Sequence, residues 1–291
     1  MKDKINRGTG LLVIEVIDSN PNGDPDREND PRQRNDGRGE ITSVSFKRKL
    51  RDLVLWKEGP VWKSVCDDLG IDESEYSKYD IMERKDIVRQ NVINEIENKT
   101  FLDKYWDARV FGNTFLESEK EYNVQTGVVQ FALAVSISPI RIERLTNTKQ
   151  APTQEGKSKG MAPLGYRIVQ HGVYCMPFFV NATAALKTQC SKKDVDIILK
   201  LIPYAYPHTA SYLRSQVNVR HAFFVEHNSP VGRFNDFEII EMLTPKRLCD
   251  IEIPSTSKDG YDFEGLREQV KKLDARLSGK THPIRDLIQE I

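Results

Sequence analysis

Several common sources of function are missing from this 291-residue sequence. It has four cysteines, Cys66, Cys175, Cys190 and Cys249, and none are paired at the spacing of a zinc knuckle. The five histidines, at 171, 208, 221, 227 and 282, do not gather around them. Buried free thiols are therefore the expectation, with no metal and no cofactor. No stretch approaches the roughly 20 apolar residues needed to cross a bilayer. The longest apolar run, 128–137, is broken by Gln130 and Ser136. With no apolar targeting segment ahead of the first strand, the expected setting is the cytoplasm, without a membrane partner. Neither a Walker A sequence nor a dinucleotide fingerprint follows that strand, and no internal repeat is evident. Net charge is zero, so overall charge does not signal a polyanionic ligand.

What is present is segregated charge. Between Arg32 and Arg51 seven cations face two acids, a surplus of five, and between Arg141 and Arg167 six face two, a surplus of four. The stretch 58–107 is acidic and compensates. Such separation offers a basic track to phosphates and an acidic surface elsewhere.

The pattern of elements supports an α+β chain. Residues 11–18 read LLVIEVID, a continuous apolar run of strand length that fits a central strand. Residues 19–40 are dense in Asn, Pro, Gly and Asp, which predicts a long surface loop. A helix then follows, capped by Thr42 or Ser43, with Phe46, Leu50, Leu53 and Val54 inward and Lys47 and Arg51 one turn apart on another face. Residues 58–125 look like a charged helical insertion containing Trp62 and Trp106, with Trp56 just before it. Residues 126–138 predict one long strand. Residues 139–165 form a basic stretch with a Gly/Lys-rich centre, and 166–180 return as a strand in which Pro177 suggests a bulge or an end. A second helix is expected at 191–205, capped by Ser191 and ended near Pro203, then a strand at 217–226 and a helix at 263–277, with a loosely specified tail. Strand, helix, strand, strand, helix, strand describes a ferredoxin-like core carrying large insertions.

Two motifs compete with a binding role. D-S-N-P-N-G from Asp18 matches the opening of an EF-hand loop, but its twelfth position is Asn29 and a strand precedes it. Asp24, Asp26, Asp30 and Asp36 are candidates for magnesium-dependent phosphodiester cleavage, although they alternate with Arg27, Arg32, Arg34 and Arg38. The strand at 128–136 offers only Phe131, which argues against base stacking on the sheet and for phosphate contacts from helix and loops.

The segment SNPNGDPDRENDPRQ, the helix SFKRKLRD and the strand TGVVQFALAVSISPI leading into a basic loop together resemble one family. It is the CRISPR-associated backbone subunit of type I Cascade complexes, in particular subtype C, within the repeat-associated mysterious protein superfamily. The resemblance runs from about residue 8 to 180. It implies a modified RNA-recognition-motif palm (1–57, 126–138 and 166–291), a helical finger-like insertion (58–125) and a β-hairpin thumb (139–165). It also implies a non-catalytic role: several copies lining a guide RNA head to tail, beside other Cascade subunits, with target DNA recognised through guide pairing. Carried over by position, Lys47 and Arg51 are expected on guide phosphates and Asn20, Asn22 and Arg38 in the adjoining loop. Arg141, Lys157, Lys159 and Met161 fall on the thumb, with Met161 as a wedge between bases. A metal-dependent ribonuclease using the loop carboxylates stays open as the alternative, and so does a scaffold that binds acidic proteins.

Overall fold

A computed structural model describes residues 4–113, 125–150 and 161–290, and side chains at 147–150 and 161–164 fall outside the description. The first strand, β1 (Gly8–Ser19), organises the rest. It pairs antiparallel on one side with β6 (Met161–Val180) and on the other with β7 (Val217–Glu226). Leu12, Ile14 and Val16 enter one core, whereas Leu11 and Val13 enter a second core on the opposite face. An unbroken apolar run is what two buried faces require, since either parity of side chain meets protein.

The remaining strands are β2 (Arg38–Ile41), β3 (Val129–Phe131), β4 (Ala134–Pro139), β5 (Ile142–Gln150) and β8 (Arg285–Asp286). The sheet runs β8-β7-β1-β6-β4-β2, with β3 and β5 also paired to β6. The 20 residues of β6 span about 65 Å at ~3.3 Å per residue. Its second half therefore lies in the sheet while its first half forms a hairpin with β5, in register from Val169↔Ile142 to Met161↔Gln150.

Helices cover both faces. On one side lie α1 (Ser43–Leu55), α2 (Pro60–Leu69), α5 (Trp106–Phe111) and α7 (Lys192–Leu201), with Phe46, Trp62, Trp106 and Ile198 in a shared core. On the other lie α8 (Asp236–Leu243) and α9 (Phe263–Leu277), which supply Ile239, Leu243, Leu266 and Leu273. The short helices α3 (Arg89–Glu97) and α4 (Phe101–Lys104) build a satellite cluster around Val92, Phe101, Tyr105 and Ala108. The last, α6 (Ala182–Thr188), follows β6 directly. Local signals match this layout. Thr42 caps α1 by accepting from Ser45 N, and Ser191 and Asp194 form a reciprocal capping box on α7.

Four expectations change. The single strand at 126–138 is three pieces: residues 125–126 pair with Gly112–Asn113, and the run then breaks at Ala132–Leu133 between β3 and β4. Pro177 explains the break. It stays inside β6 opposite Leu11, and its carbonyl accepts from Ala132 N, but it has no N–H to return. The insertion is not set apart from the core, because Trp62 and Trp106 are fully buried in it, while Trp56 is 60% exposed. The C-terminal tail is well specified: it pairs with β7 through Phe223↔Asp286, and Leu287 is buried. Finally, α8 was not anticipated, although Asn235 caps it by accepting from Phe237 N.

Buried ion pairs tie the helical layer together. Asp194 accepts from Arg109 Nη2 at 2.8 Å and Nε at 3.1 Å, and Trp106 Nε1 donates to the Asp194 carbonyl at 3.2 Å. Replacing Asp194 by Ala removes the carboxylate half of the capping box, leaving the Ser191 cap, and strands a buried guanidinium. Unfolding by urea should show a loss of about 3–5 kcal/mol. A change below about 1 kcal/mol would mean that Arg109 finds water.

Candidate nucleic-acid interface

The 19–40 loop is folded rather than slack. Residues 23–24 pair with Asp30–Pro31, and Glu28 and Asn29 take left-handed backbone angles (φ 52° and 62°) to close the turn between them. Asn22 fastens the loop to the first helix: its Oδ1 accepts from Thr42 N and Thr42 Oγ1, both at 2.8 Å. Asn20 is buried, and its Nδ2 donates to Asn29 O at 2.8 Å while its Oδ1 has no partner. Both asparagines thus shape the loop. Their place in the EF-hand spacing is used otherwise, since the Asn22 oxygen is committed to Thr42.

The loop carboxylates do not converge. Asp30 pairs with Arg167 of the hairpin, Asp24 lies 3.4 Å from Arg32, and Asp36 accepts from Arg38 N at 3.0 Å. Among the described residues no three metal-ligating side chains gather.

The two basic residues singled out on α1 have different surroundings. Arg51 is 4% exposed; its Nε donates to Asp107 at 2.9 Å and its Nη2 pairs with Glu83 at 2.7 Å. Met82 N and Glu83 N also donate to Asp107, so this carboxylate ties α1 to the insertion. Arg51 is a fastener within the fold, which corrects its expected place on guide phosphates. Lys47 is half-buried, with Nζ 5.5 Å from the Phe111 ring centre and no carboxylate pairing with it among the described residues. Burial lowers its pKa and Arg51 adds to the effect, with Glu83 opposing.

Lys49 was not singled out from the sequence. Its Nζ donates to Thr209 Oγ1 at 2.9 Å and sits 4.8 Å from the Tyr206 ring centre. Burial, reinforced by Arg214, brings its pKa down to about 8, against an opposing pull from Asp52. Arg214 has a buried Nε without a partner. Two neighbouring cations without a bridging carboxylate form a place that a phosphate would relieve.

Beside them, the foot of the β5–β6 hairpin and the 19–40 loop enclose a cleft of about 240 Å³ lined by Asn20, Asn29, Arg144, Tyr166, Arg167 and Leu213 together with two carboxylates, Glu28 and the Arg167-paired Asp30. Asn20 N donates to Leu213 O at 2.7 Å, which joins this cleft to the turn carrying Tyr212 and Arg214. Tyr212 is 71% exposed, and its ring centre lies 5.6 Å from that of Tyr166. Arg141 is exposed at the hairpin's base. Arg38 is in β2, 3.8 Å from Glu252. Lys157 and Lys159 lie outside the described residues; Met161 is placed by its backbone alone, as the partner of Gln150. The structure therefore brings Asn20, the hairpin foot and the 207–214 turn together, and α1 packs on that turn through Lys49. Tyr212, Arg214 and Arg144 had no periodic signal around them and were missed. Lys49 was counted only as charge.

This geometry defines an α+β protein built on one large antiparallel sheet, helix-covered on both faces and extended into a long hairpin, with a strip of cations at the hairpin's foot. The profile of the family CRISPR-associated protein Cas7 matches residues 6–264, and the chain belongs to that family. A CRISPR-associated protein Cas7 of Haloferax volcanii is 29% identical over 223 residues, covering 66% of this chain and 62% of its own length. Among solved structures, a chain of a CRISPR RNA-guided surveillance complex, pre-nicking, is similar in fold with a TM-score of 0.55 at 14% identity, covering 95% of this chain and 90% of that one. Among the described residues no helix is long and apolar enough to cross a membrane.

The contrast between Arg51 and Lys47 has a direct consequence. Arg51→Met should cost about 3–5 kcal/mol of stability by leaving Asp107 buried and unpaired, as measured by chemical denaturation. Lys47→Met should leave stability within about 0.5 kcal/mol. Equal losses would put both lysine and arginine in the core.

Proposed function

We propose that this chain is a non-catalytic, guide-RNA-binding backbone subunit of a type I Cascade complex, arranged in several head-to-tail copies along the guide. The observation that carries the proposal is a group of cations with no pairing carboxylate among the described residues, Lys49 beside Arg214 at the 207–214 turn and Arg144 at the hairpin foot, next to the exposed ring of Tyr212, with Arg141 at the hairpin's base and Lys47 on another side of α1 over Phe111. Lys and Arg without acidic partners suit sequence-independent contacts to phosphates, and an exposed aromatic offers a stacking surface to any base. Guide and target read sequence by pairing with each other, so the subunit needs only backbone contacts and shape.

The topology supports the palm, finger and thumb description. Strands β7, β1, β6 and β4 lie in that order, with α1 between β1 and β4 in the chain and α7 between β6 and β7. These are two interleaved β-α-β units, the arrangement of a ferredoxin-like or RNA-recognition palm. Residues 58–125 then correspond to the finger-like insertion, and the β5–β6 hairpin to the thumb. Since helices cover both faces of the sheet, the RNA runs along the loop, the hairpin foot and the first helix. Arg38 and Arg141 border this path. The resemblance assigns Lys157, Lys159 and Met161 to the thumb and counts them among its guide contacts. Membership in the family and the likeness in fold to a surveillance-complex chain favour target DNA and other Cascade subunits as further partners. A structural role agrees with loop aspartates engaged by Arg32 and Arg167.

Binding of labelled guide RNA tests the strip. The Lys47→Ala, Lys49→Ala double variant should weaken affinity about tenfold and flatten the log–log salt slope by roughly 1–2, equally for unrelated guide sequences. Tyr212→Ala should cost about 1–3 kcal/mol of binding. Unchanged affinity and slope in both variants would exclude this surface.

The lowered pKa of Lys49 sets a pH dependence. A cation with pKa about 8 is charged below that value and neutral above it. Affinity should therefore fall as pH rises from 7 to 9, and binding near pH 8 should take up protons because a phosphate raises the pKa. Lys49→Arg should abolish most of this dependence. Regular cuts in labelled RNA with magnesium, lost in Asp24→Ala, Asp26→Ala, Asp30→Ala or Asp36→Ala, would instead establish the ribonuclease.

A further inference from the structure

Two surfaces are complementary and cannot meet within one chain, the first of them bordering the proposed RNA path through Glu252, 3.8 Å from Arg38. The first is a knob at 248–253, reading L-C-D-I-E-I, in which every residue is exposed. Leu248, Ile251 and Ile253 are 63%, 43% and 53% exposed, with Asp250 and Glu252 between them. Alternating large apolar and acidic side chains held out to water mark a contact surface rather than a solvated loop.

The knob has a defined shape. Ile253 N donates to Asp250 O at 3.2 Å and Glu252 N to Asp250 Oδ1 at 3.0 Å, which closes a turn. Both stems are anchored: Leu248 N donates to Gly260 O at 2.9 Å, and Ser255 N to Pro139 O at 3.1 Å. Beneath the second stem, Ser255 Oγ meets His171 Nδ1 at 2.7 Å, and His171 Nε2 meets Glu15 Oε1 at 3.1 Å. All three are buried, so this hydrogen-bonded chain pins the knob to the middle of the sheet. Its enclosure gives a substrate no access to Ser255, despite the serine–histidine–glutamate sequence of contacts.

The second surface is a cleft of about 500 Å³ between β7, α9 and β8. Phe223, Leu266, Val270 and Ile284 form its apolar lining, with Arg267 and Lys271 on its wall and both exposed. Asp286 also lines it but is engaged by His221 at 2.7 Å, and Lys271 pairs with Glu268 at 2.9 Å, which leaves Arg267 as the cation without a pairing carboxylate among the described residues. The knob is apolar and acidic; the cleft is apolar with two exposed cations on its wall.

Their placement completes the case. The knob's stem leaves the sheet at β4, beside β2, and the cleft lies at β7 and β8, the opposite edge. Both belong to the face covered by α8 and α9, because His171, Glu15, Phe223 and Leu266 share the side of the second core. A knob and a socket on opposite edges of one face are two different surfaces, so a neighbour joined in the same orientation leaves one of each free. Joined so, copies run head to tail in an open series, whereas a face-to-face two-fold pair would stop at dimers and count against the series. We propose that residues 248–253 of one copy dock in the β7–α9 cleft of the next, with Asp250 and Glu252 meeting Arg267 and Lys271. The proposal rests on the several-copy reading and assigns it a specific joint. The contact is small, so it tightens chiefly when RNA holds neighbours at high effective concentration.

Cys249 makes the joint testable, since it is the exposed cysteine while Cys66 and Cys190 are buried and Cys175 is partly covered. An Arg267→Cys variant, oxidised with diamide on guide RNA and also at high protein concentration without RNA, should give a ladder of covalent dimers, trimers and larger species. Cys249→Ser in the same chain should abolish it, and a Lys187→Cys control on α6 should give at least tenfold less product. A ladder without RNA but not with it would support the joint and count against the RNA path. No excess over the Lys187→Cys control in either condition overturns the docking. Charge exchange is a second readout that does not depend on thiol geometry: Asp250→Lys with Glu252→Lys should reduce lateral assembly at least fivefold, and adding Arg267→Glu with Lys271→Glu should restore it. Failure of restoration, with each variant folded by circular dichroism, also overturns it.

Discussion

Burial of β1 on both faces is the constraint from which the rest of the molecule follows. A strand that presents Leu12, Ile14 and Val16 to one side and Leu11 and Val13 to the other needs helices above and below it. With both faces occupied, the sheet has no open surface on which bases stack, unlike an RNA-recognition sheet that displays aromatics. Any polynucleotide is therefore displaced to where the strands end or overrun the helices. Those places are the loop after β1, the foot of the β5–β6 hairpin and the turn before β7, and Arg144, Arg214 and, from α1, Lys49 lie beside them. The position of the candidate interface is in this sense a packing result.

Charges inside the fold divide into two kinds, those buried with a counter-charge and those left weakly compensated, and the second kind are the candidates for binding. Arg51 with Asp107, and Arg109 with Asp194, are buried with their counter-charges and link α1, α5 and α7. Glu15 is of the same kind: burial pushes its pKa up, but hydrogen bonds from His171 and Arg220 outweigh this and hold it below the usual carboxylate range. Breaking such pairs is expensive because the survivor is left without water or partner. Lys47 is half-buried and Lys49 is buried on Thr209, neither with a paired carboxylate, so their charge is only weakly compensated. The same residue types in one helix thus do opposite work.

This division was not legible in the sequence. Lys47 and Arg51 stand one turn apart with identical periodicity, and what distinguishes them is Asp107, 56 residues downstream of Arg51. Elements governed by local rules were legible: β1 from its apolar run, α1 from its stripe and Thr42, α7 from Ser191 and Asp194, β7 and α9 from their patterns. What failed depended on distant partners. The break in 126–138 is imposed by Pro177 across the sheet, and the short edge strand at 285–286 exists only because β7 offers it a ladder. The cleft beside Asn20 joins three segments that no window of sequence contains together. The resemblance to a known family supplied fold and role where spacing alone could not, but it placed Arg51 on the RNA.

The edges of the sheet limit how copies can join. An exposed long edge strand would invite a neighbour to add its own strand, giving a continuous sheet with no defined end. Here β2 has four residues, and β8 two, so neither edge of the sheet's body offers a ladder of useful length; the nine-residue β5 of the hairpin, paired on one side to β6, is the longer edge. Away from the hairpin, any lateral association runs through side chains on loops and clefts rather than through backbone pairing. Side-chain contacts are specific in register and weak one at a time. A strong autonomous sheet contact would polymerise a protein by itself, whereas a weak joint assembles only where something else holds the copies together, which is what the proposed guide-bound arrangement requires.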